Sequence, residues 1–429
     1  MSILRTLNTG ASGLQSNGEA LGVVSDNIAN ANTVGFKRSR ADFQDMVASA
    51  GKSELNQTGG GSKIGKVESM WKQGAMLSTE SSTDLALSGD GFFVVNGTAS
   101  GVSGSFYTRA GQFHLDKDGY VTNVDNLKLQ GYAADSRGNI EGKLGDLRIG
   151  PTALPATPTA AVKMGANLSS NSTVPATAFD PLTPQTTSNF SGPVTLYDSL
   201  GNGHSATIYF AKTTDTTFDW HAVVDGSEID GGVAGEPFQG ANGTLTFGTD
   251  GQLQTDTTEA SNWNFKGATA GQAITFDFGT SVDEGGTGFD GTTSNASPSN
   301  VSSTTQDGFA AGTVTGINVS ATGTITGSFT NGQRRTLGQV AVANFKADDG
   351  LLRAGQGLYV QTEESGEALM GTASTGGRGS IVSGALEQSN VDIGSEFVDL
   401  IAFQRGFQAN SKVIQTADEM YGELVDLKR

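Results

Sequence analysis

Apolar residues recur every three or four positions at the two ends of the chain. Leu4, Leu7, Ala11, Leu14, Gly18, Leu21, Ser25 and Ile28 form one stripe. Leu400, Phe403, Phe407, Asn410, Ile414, Ala417, Tyr421 and Leu424 form the other. That spacing puts each set on one face of a helix, so it predicts two amphipathic, coiled-coil-like helices. Two ordinary core helices of one domain would give the same stripes. The first helix carries Gly10, Gly13, Gly18 and Gly22. Each costs ~1 kcal/mol relative to Ala in a helix interior, so this helix needs close neighbours to hold it. Ser389 with Asp392 offers a capping box ahead of the second helix.

Between the ends the pattern changes to alternation broken by turn residues. "DLALSGDGFFVVNG" (84–97) reads as a strand pair around Asp90-Gly91, and "FHLDKDGYVTN" (113–123) as a hairpin at Asp118-Gly119. "TGTITGSFTNGQRRTLGQVAVANF" (322–345) turns at Asn331-Gly332. Asp-Gly and Asn-Gly supply the positive φ angles that tight hairpins need. Four further stretches, 192–212, 218–224, 243–254 and 272–279, read as strands. Residues 283–308 have almost no apolar content and read as a surface loop. The fold class is therefore α+β and mostly β, with paired terminal helices and β-rich domains nested between them.

"NIANANTVGFKRS" (27–39) closes the first helix. Asn and Gly tolerate the left-handed conformation that ends helices, and Asn side chains compete for backbone hydrogen bonds. On residue types alone this is a helix stop, with or without a further role.

Composition changes the picture in four ways. The 429 residues contain no Cys, which excludes disulfides, thiolate metal sites and Cys nucleophiles. No run of 18 apolar residues exists, so no membrane insertion is expected. The N-terminus lacks a signal peptide's apolar core and cleavage site, which implies a cytosolic protein or export without a cleaved signal. The net charge of −18 is uneven. Residues 165–315 hold sixteen acids against Lys212 and Lys266, or −14, leaving −4 for the rest. Such a surface disfavours nucleic acid and marks a separate unit inserted into a more neutral frame.

Candidate chemistry is sparse. His114, His204 and His221 have no partners at metal-ligand spacing. "GTGFDG" (286–291) follows no strand and opens no helix, so it is not a dinucleotide fingerprint. Read as "GGTGFDG" (285–291), it is one copy of a calcium-binding repeat that works only in tandem. "DKDG" (116–119) lacks the downstream ligands of an EF-hand. No catalytic residue, metal or cofactor is expected.

Several stretches resemble a known family. "ANANTVGFK" (29–37) is similar to the N-terminal signature of the bacterial flagellar axial rod/hook family. "DLALSGDGFFVV" (84–95) and "YTRAGQFHLDKDGYVTN" (107–123) resemble its frame domain. "GALEQSNVDIGSEFVDLIAFQRGFQANSKVIQTADEM" (384–420) resembles its C-terminal signature, and "LGQVAVANF" (337–345) adds to the match. The insert matches more weakly, chiefly through "VTLYDSLGNGH" (194–204).

The resemblance, strongest to the hook members, implies a structural subunit that polymerises into a flexible tube between rod and filament. It implies an inner-tube domain at 1–30 and 391–429, linkers at 31–69 and 376–390, and a β-rich frame at 70–164 and 313–375. The acidic outer β domain would occupy 165–312. Assembly contacts are expected at Leu4, Leu7, Ala11, Leu14, Leu21 and Ile28, and at Leu400, Phe403, Phe407, Ile414, Ala417, Tyr421 and Leu424. Asn30, Asn32, Thr33, Gly35, Phe36 and Lys37 would form the signature linker. Implied partners are copies of the chain itself, the distal rod protein, the hook cap, the hook–filament junction proteins and the flagellar type III export apparatus. Localisation would be the extracellular flagellum. The distal rod protein shares both end signatures, but as a family trait it lacks an insert of this size. A secreted β-rich binding or calcium protein is the reading from another class.

Overall fold

The computed structural model describes residues 3–47, 59–99, 101–135, 137–149 and 153–426. The chain forms two compact units. The first comprises Met1–Thr152, Thr315–Ser328 and Arg334–Arg429; the second comprises Ala153–Val314 and Phe329–Gln333.

The first unit contains both long helices, Ile3–Ala29 and Ile393–Asp426, packed against each other. A hairpin of Ser39–Val47 and Gly59–Ser69 lies against the N-terminal helix. Sequence alternation gave no sign of it, because its strands are mostly polar or glycine-rich and face the helix with small side chains. Ser16 Oγ meets Ser62 Oγ at 2.9 Å, and the Ser62 N–H donates to Ser12 Oγ. A Cβ on Gly61 would overlap Ser12 Oγ, so only glycine fits there.

The main sheet of this unit is built around Phe92–Ala99 and Arg334–Asn344. Both carry unbroken runs of buried residues rather than an alternation, because both faces of the sheet are covered. Phe93, Val95, Val340 and Val342 enter one apolar cluster, while Phe92, Val94, Ala343 and Phe345 enter another with Trp71 and Tyr359.

The turn at Asp118-Gly119 joins His114–Leu115 to Val121–Thr122, as expected. Asp116 Oδ1 accepts the N–H groups of Asp118 and Tyr120, and Gly119 sits at φ +82°. Thr324–Phe329 and Arg334–Asn344 likewise pair across Asn331-Gly332. Asp90-Gly91 is different. Leu85–Ser88 pairs with Ser380–Ser383, and Phe92–Ala99 with Val102–Thr108, so the two strands belong to different sheets. Gly89 and Gly91 at φ +103° and +120° make a corner, not a hairpin.

In the second unit five antiparallel strands run in sequence order: Phe190–Tyr197, Gly203–Lys212, Thr217–Asp225, Pro237–Phe247 and Leu253–Ser261. A smaller sheet of Thr275–Asp277, Ala161–Asn167 and Asn300–Gln306 shares one apolar core with it. Trp220 lies 5.0 and 5.1 Å from the Phe276 and Phe278 rings, and Val162 and Met164 belong to the same core. The stretch 283–308 is not wholly a loop. Asn300–Gln306 is a strand antiparallel to Ala161–Asn167, held by ladder hydrogen bonds rather than apolar side chains.

Candidate functional site

The two chain ends meet in the first unit, and small residues determine how closely. On the N-terminal helix the fully buried positions are Gly10, Gly13, Ser16, Ala20, Val24 and Asn27. A Cβ on Gly10 would stand 2.9 Å from Ile414 Cγ1, and one on Gly13 2.7 Å from Asn410 Nδ2. On the facing helix, a Cβ on Gly406 would stand 2.7 Å from Asn17 Oδ1. The glycines that weaken the helix in isolation are therefore what lets its partner approach.

This seam lies one position, about 100°, round the helix from the expected leucine stripe. Leu4 is 65% exposed, Ala11 is exposed, and Leu7, Leu14, Leu21 and Ile28 are half-buried. Of the stripe, Gly18 faces the other helix, where a Cβ would stand 3.9 Å from Phe407 Cε2, but the closest approach is made on the small-residue face beside it. On the C-terminal helix the expected stripe does face inward. Leu400, Phe403 and Ile414 are half-buried and Ala417 is buried, with the Phe403 ring 5.7 Å from Phe43. Phe407 and Tyr421 are 40% and 53% exposed. The side chain of Leu424 lies outside the described residues. Phe397, Val398, Ile401 and Met420 of the same helix are also exposed.

The C-terminal helix is capped by Asp392, whose Oδ1 accepts the Ser395 N–H at 3.0 Å. The Ser389 hydroxyl accepts from Val391 instead, so the capping box expected from Ser389 does not form. A true N-cap bonds an N–H of the helix's first turn, and Val391 lies before the helix begins at Ile393, so only Asp392 caps it.

The signature segment ends one helix and ties it to the start of the other. The Asn30 side-chain amide donates to Asp26 O at 2.9 Å and Asp26 Oδ1 at 3.0 Å, and Thr33 Oγ1 donates to Asn30 Oδ1. Asn30 thus stops the helix through its side chain. Asn32 is exposed and makes no such bond. The left-handed residue is Gly35 alone in this segment, at φ +70°, where a Cβ would also lie 2.5 Å from Ala110 N. Its N–H donates to Glu387 O at 2.7 Å. Phe36 lies under the Arg353 guanidinium, 5.2 Å from its ring centroid.

Lys37 is fully buried. Its Nζ is 2.6 Å from Glu387 Oε1 and donates to Lys72 O at 3.0 Å. Glu387 Oε1 also accepts the Gly74 N–H, and Arg109 Nη1 lies 3.4 Å from Oε2. Burial pushes the Lys37 ammonium below its usual range, and the Glu387 charge opposes that.

A second node lies beside it. The Asn27 side chain donates to Ser39 O and accepts from Ser39 N, then donates to Glu396 Oε2 at 3.0 Å. Arg38 pairs with Glu396 and Asp399, and its backbone N–H donates to Asn390 Oδ1 at 2.7 Å. Glu387, Arg109, Asn27, Asn390 and Glu396 were not singled out from sequence. Charge alone cannot pair residues some 350 positions apart.

Four family descriptions match in chain order. "Flagella basal body rod protein" matches 7–37, "Flagellar hook protein FlgE/F/G D1 domain" 86–174, "Flagellar basal body protein FlaE D2 domain" 167–309, and "Flagellar basal body rod FlgEFG protein C-terminal" 382–427. These define the class as the structural proteins of the flagellar rod and hook. The hook protein FlgE of Salmonella typhimurium (strain LT2) is 32% identical over 421 residues, covering 97% of this chain and 98% of that relative. That of Treponema pallidum is 33% identical over 470 residues, covering both chains completely. The chain belongs to the flagellar hook protein FlgE family. Helicobacter pylori FlgE2 shares the fold, with a TM-score of 0.50 at 14% identity over 73% of this chain and 99% of that one.

Proposed function

We propose that this chain is the building block of the flagellar hook, polymerising with copies of itself into the bendable tube between rod and filament. Its role is structural rather than catalytic. The observation that supports this reading is the apolar surface that the helix pair leaves uncovered. Leu4, Phe397, Val398, Ile401, Phe407 and Met420 are exposed and the rest of the leucine stripe is only half-buried, an apolar content poorly suited to water. Helices of neighbouring copies would cover it. Residues 1–30 and 391–429 then form the inner tube, and 31–69 with 376–390 the linkers. The frame is 70–164 with 313–375, and the acidic insert 165–312 faces outward, its negative charge limiting contacts to reversible ones. The distal rod protein, hook cap and junction proteins would meet the same helices at the tube ends. Export would run through the flagellar type III apparatus.

Negative-stain microscopy of the purified chain at high concentration tests this reading. Tubes are expected from the parent chain, and none from a Leu14→Ser, Leu21→Ser variant that melts normally. Tubes of normal yield from that variant would refute the assigned interface.

A further inference from the structure

In the second unit, residues 170–188 cross the outer face of the five-stranded sheet. Their ends are fastened. Lys212 Nζ donates to Ser170 O and Ser172 O at 2.6 and 3.1 Å, Asn189 donates to Thr173 O at 2.7 Å, and Thr187 is buried. The middle is not. Val174, Ala176, Thr177, Ala178 and Leu182 are exposed. What fixes the middle to the sheet is Phe179, whose ring stacks on His221 at 3.9 Å and 4° and reaches Tyr209 at 5.9 Å.

His221 sits under this ring, and its Nδ1 is buried without a hydrogen-bond partner. A bare lone pair is tolerable there. A second N–H would be a buried donor with no acceptor, under an aromatic face, and it would make the ring cationic.

We propose that residues 174–182 are a pH-sensitive strap, closed while His221 is neutral and released from the sheet when His221 takes up a second proton. Release exposes Tyr209 and His221 on the outer face of the unit. The charged groups around the imidazole are Asp219 on its own strand, Glu259 on Leu253–Ser261 and Asp180 on the strap. Asp219 and Glu259 favour the proton but are engaged elsewhere, by the Thr244 hydroxyl and the Asn242 amide. Asp180 accepts from the Leu182 N–H and the Thr183 hydroxyl. Burial outweighs them and lowers the His221 pKa from its ordinary 6.5. The closed strap therefore binds fewer protons than the open one. Closure is strongest above pH 6.5 and weakens as pH falls through the lowered value.

The chain has no Cys, so a nitroxide on Leu182→Cys in the full-length protein reports the strap alone. The label is expected to be immobilised at about pH 7.5 and to gain a mobile, reversible component on acidification to about pH 4.5. His221→Phe keeps a ring under Phe179 and removes the titration, so its label should stay immobilised throughout. His221→Gln is the second non-titrating variant, with circular dichroism as the folding control for both. A parent label that never loosens, or one that loosens identically in folded His221→Phe or His221→Gln, would overturn the proposal.

Discussion

The Lys37 ammonium and the Glu387 carboxylate, 350 residues apart in sequence, form a 2.6 Å ion pair with side-chain exposures of 1% and 0%. Each sits next to a signature segment, one leaving the first helix and one leading to the second. Glu387 also accepts from the Gly74 N–H, faces Arg109, and offers its backbone oxygen to Gly35. One carboxylate therefore gathers both linkers and the frame.

Breaking one side of such a node costs more than the pair itself is worth, because the other charge stays buried. Glu387→Gln leaves the buried Lys37 without its counter-charge, while Arg109 keeps the nearby Asp348. It should destabilise the first unit by about 3–5 kcal/mol in urea unfolding. Lys37→Met in the same background should recover part of that loss. An unchanged midpoint for Glu387→Gln would show that the node has no energetic role.

The helical glycines should separate into two kinds. Nothing lies within 4 Å of a Cβ built on Gly22, so Gly22→Ala should stabilise the helix by about 1 kcal/mol. Gly10 faces Ile414 Cγ1 at 2.9 Å, near the helix backbone and not at a flexible tip. Gly10→Ala should gain the same propensity but lose it, and more, to separation of the seam. Melting followed by helical ellipticity should therefore move in opposite directions for the two variants.

The elements best read from sequence are those whose signal is local. The terminal helices announce themselves by spacing, and the Asp118-Gly119 and Asn331-Gly332 turns by φ requirements that few other residues meet. What sequence misplaced depends on distant chain. The Asp90-Gly91 corner looks like a hairpin because nothing nearby says that Ser380–Ser383 will pair with Leu85–Ser88. The strand Asn300–Gln306 has no apolar signal, since its hold is a backbone ladder. The intrachain seam was not legible, because hydrophobic periodicity weights leucines, whereas the close contact needed glycine, serine and alanine. The buried nodes were half legible: Lys37 stood out in the signature, but its partners did not.

Removing the second unit should separate assembly from curvature. Its core includes Val162 and Met164, so a clean excision takes 153–314 rather than beginning later. The shortened chain keeps both helices, both nodes and the main sheet apart from Ala153–Leu154 and the first residues of Gly312–Val319. It should still form tubes, but straighter ones, because the proposed outer contacts are gone. Curved tubes of parental shape would place the curvature in the first unit, and loss of tubes from a folded variant would place assembly contacts in the second.

Phe403 and Phe407 distinguish intrachain packing from packing between copies. Phe403 is half-buried against Phe43 of the hairpin, whereas Phe407 is 40% exposed. A fully buried Phe costs about 3–5 kcal/mol to truncate, so the half-buried Phe403 should cost about 1–2 kcal/mol as Ser. Phe43→Ser should cost a similar amount, since it removes the other half of the same contact. Phe407→Ser should cost the monomer about as much as Phe43→Ser, because the two rings are 40% and 42% exposed in one chain. If neighbouring copies cover that ring, Phe407→Ser should still reduce tube formation, and the double variant Phe403→Ser, Phe407→Ser should abolish it while the β units melt as before. The informative comparison is Phe43→Ser with Phe407→Ser. Equal loss of tubes from the two, in proportion to monomer stability, would mean that only helix folding matters. A larger loss from Phe407→Ser, despite a similar effect on the monomer, would locate the missing partner on another copy of the chain.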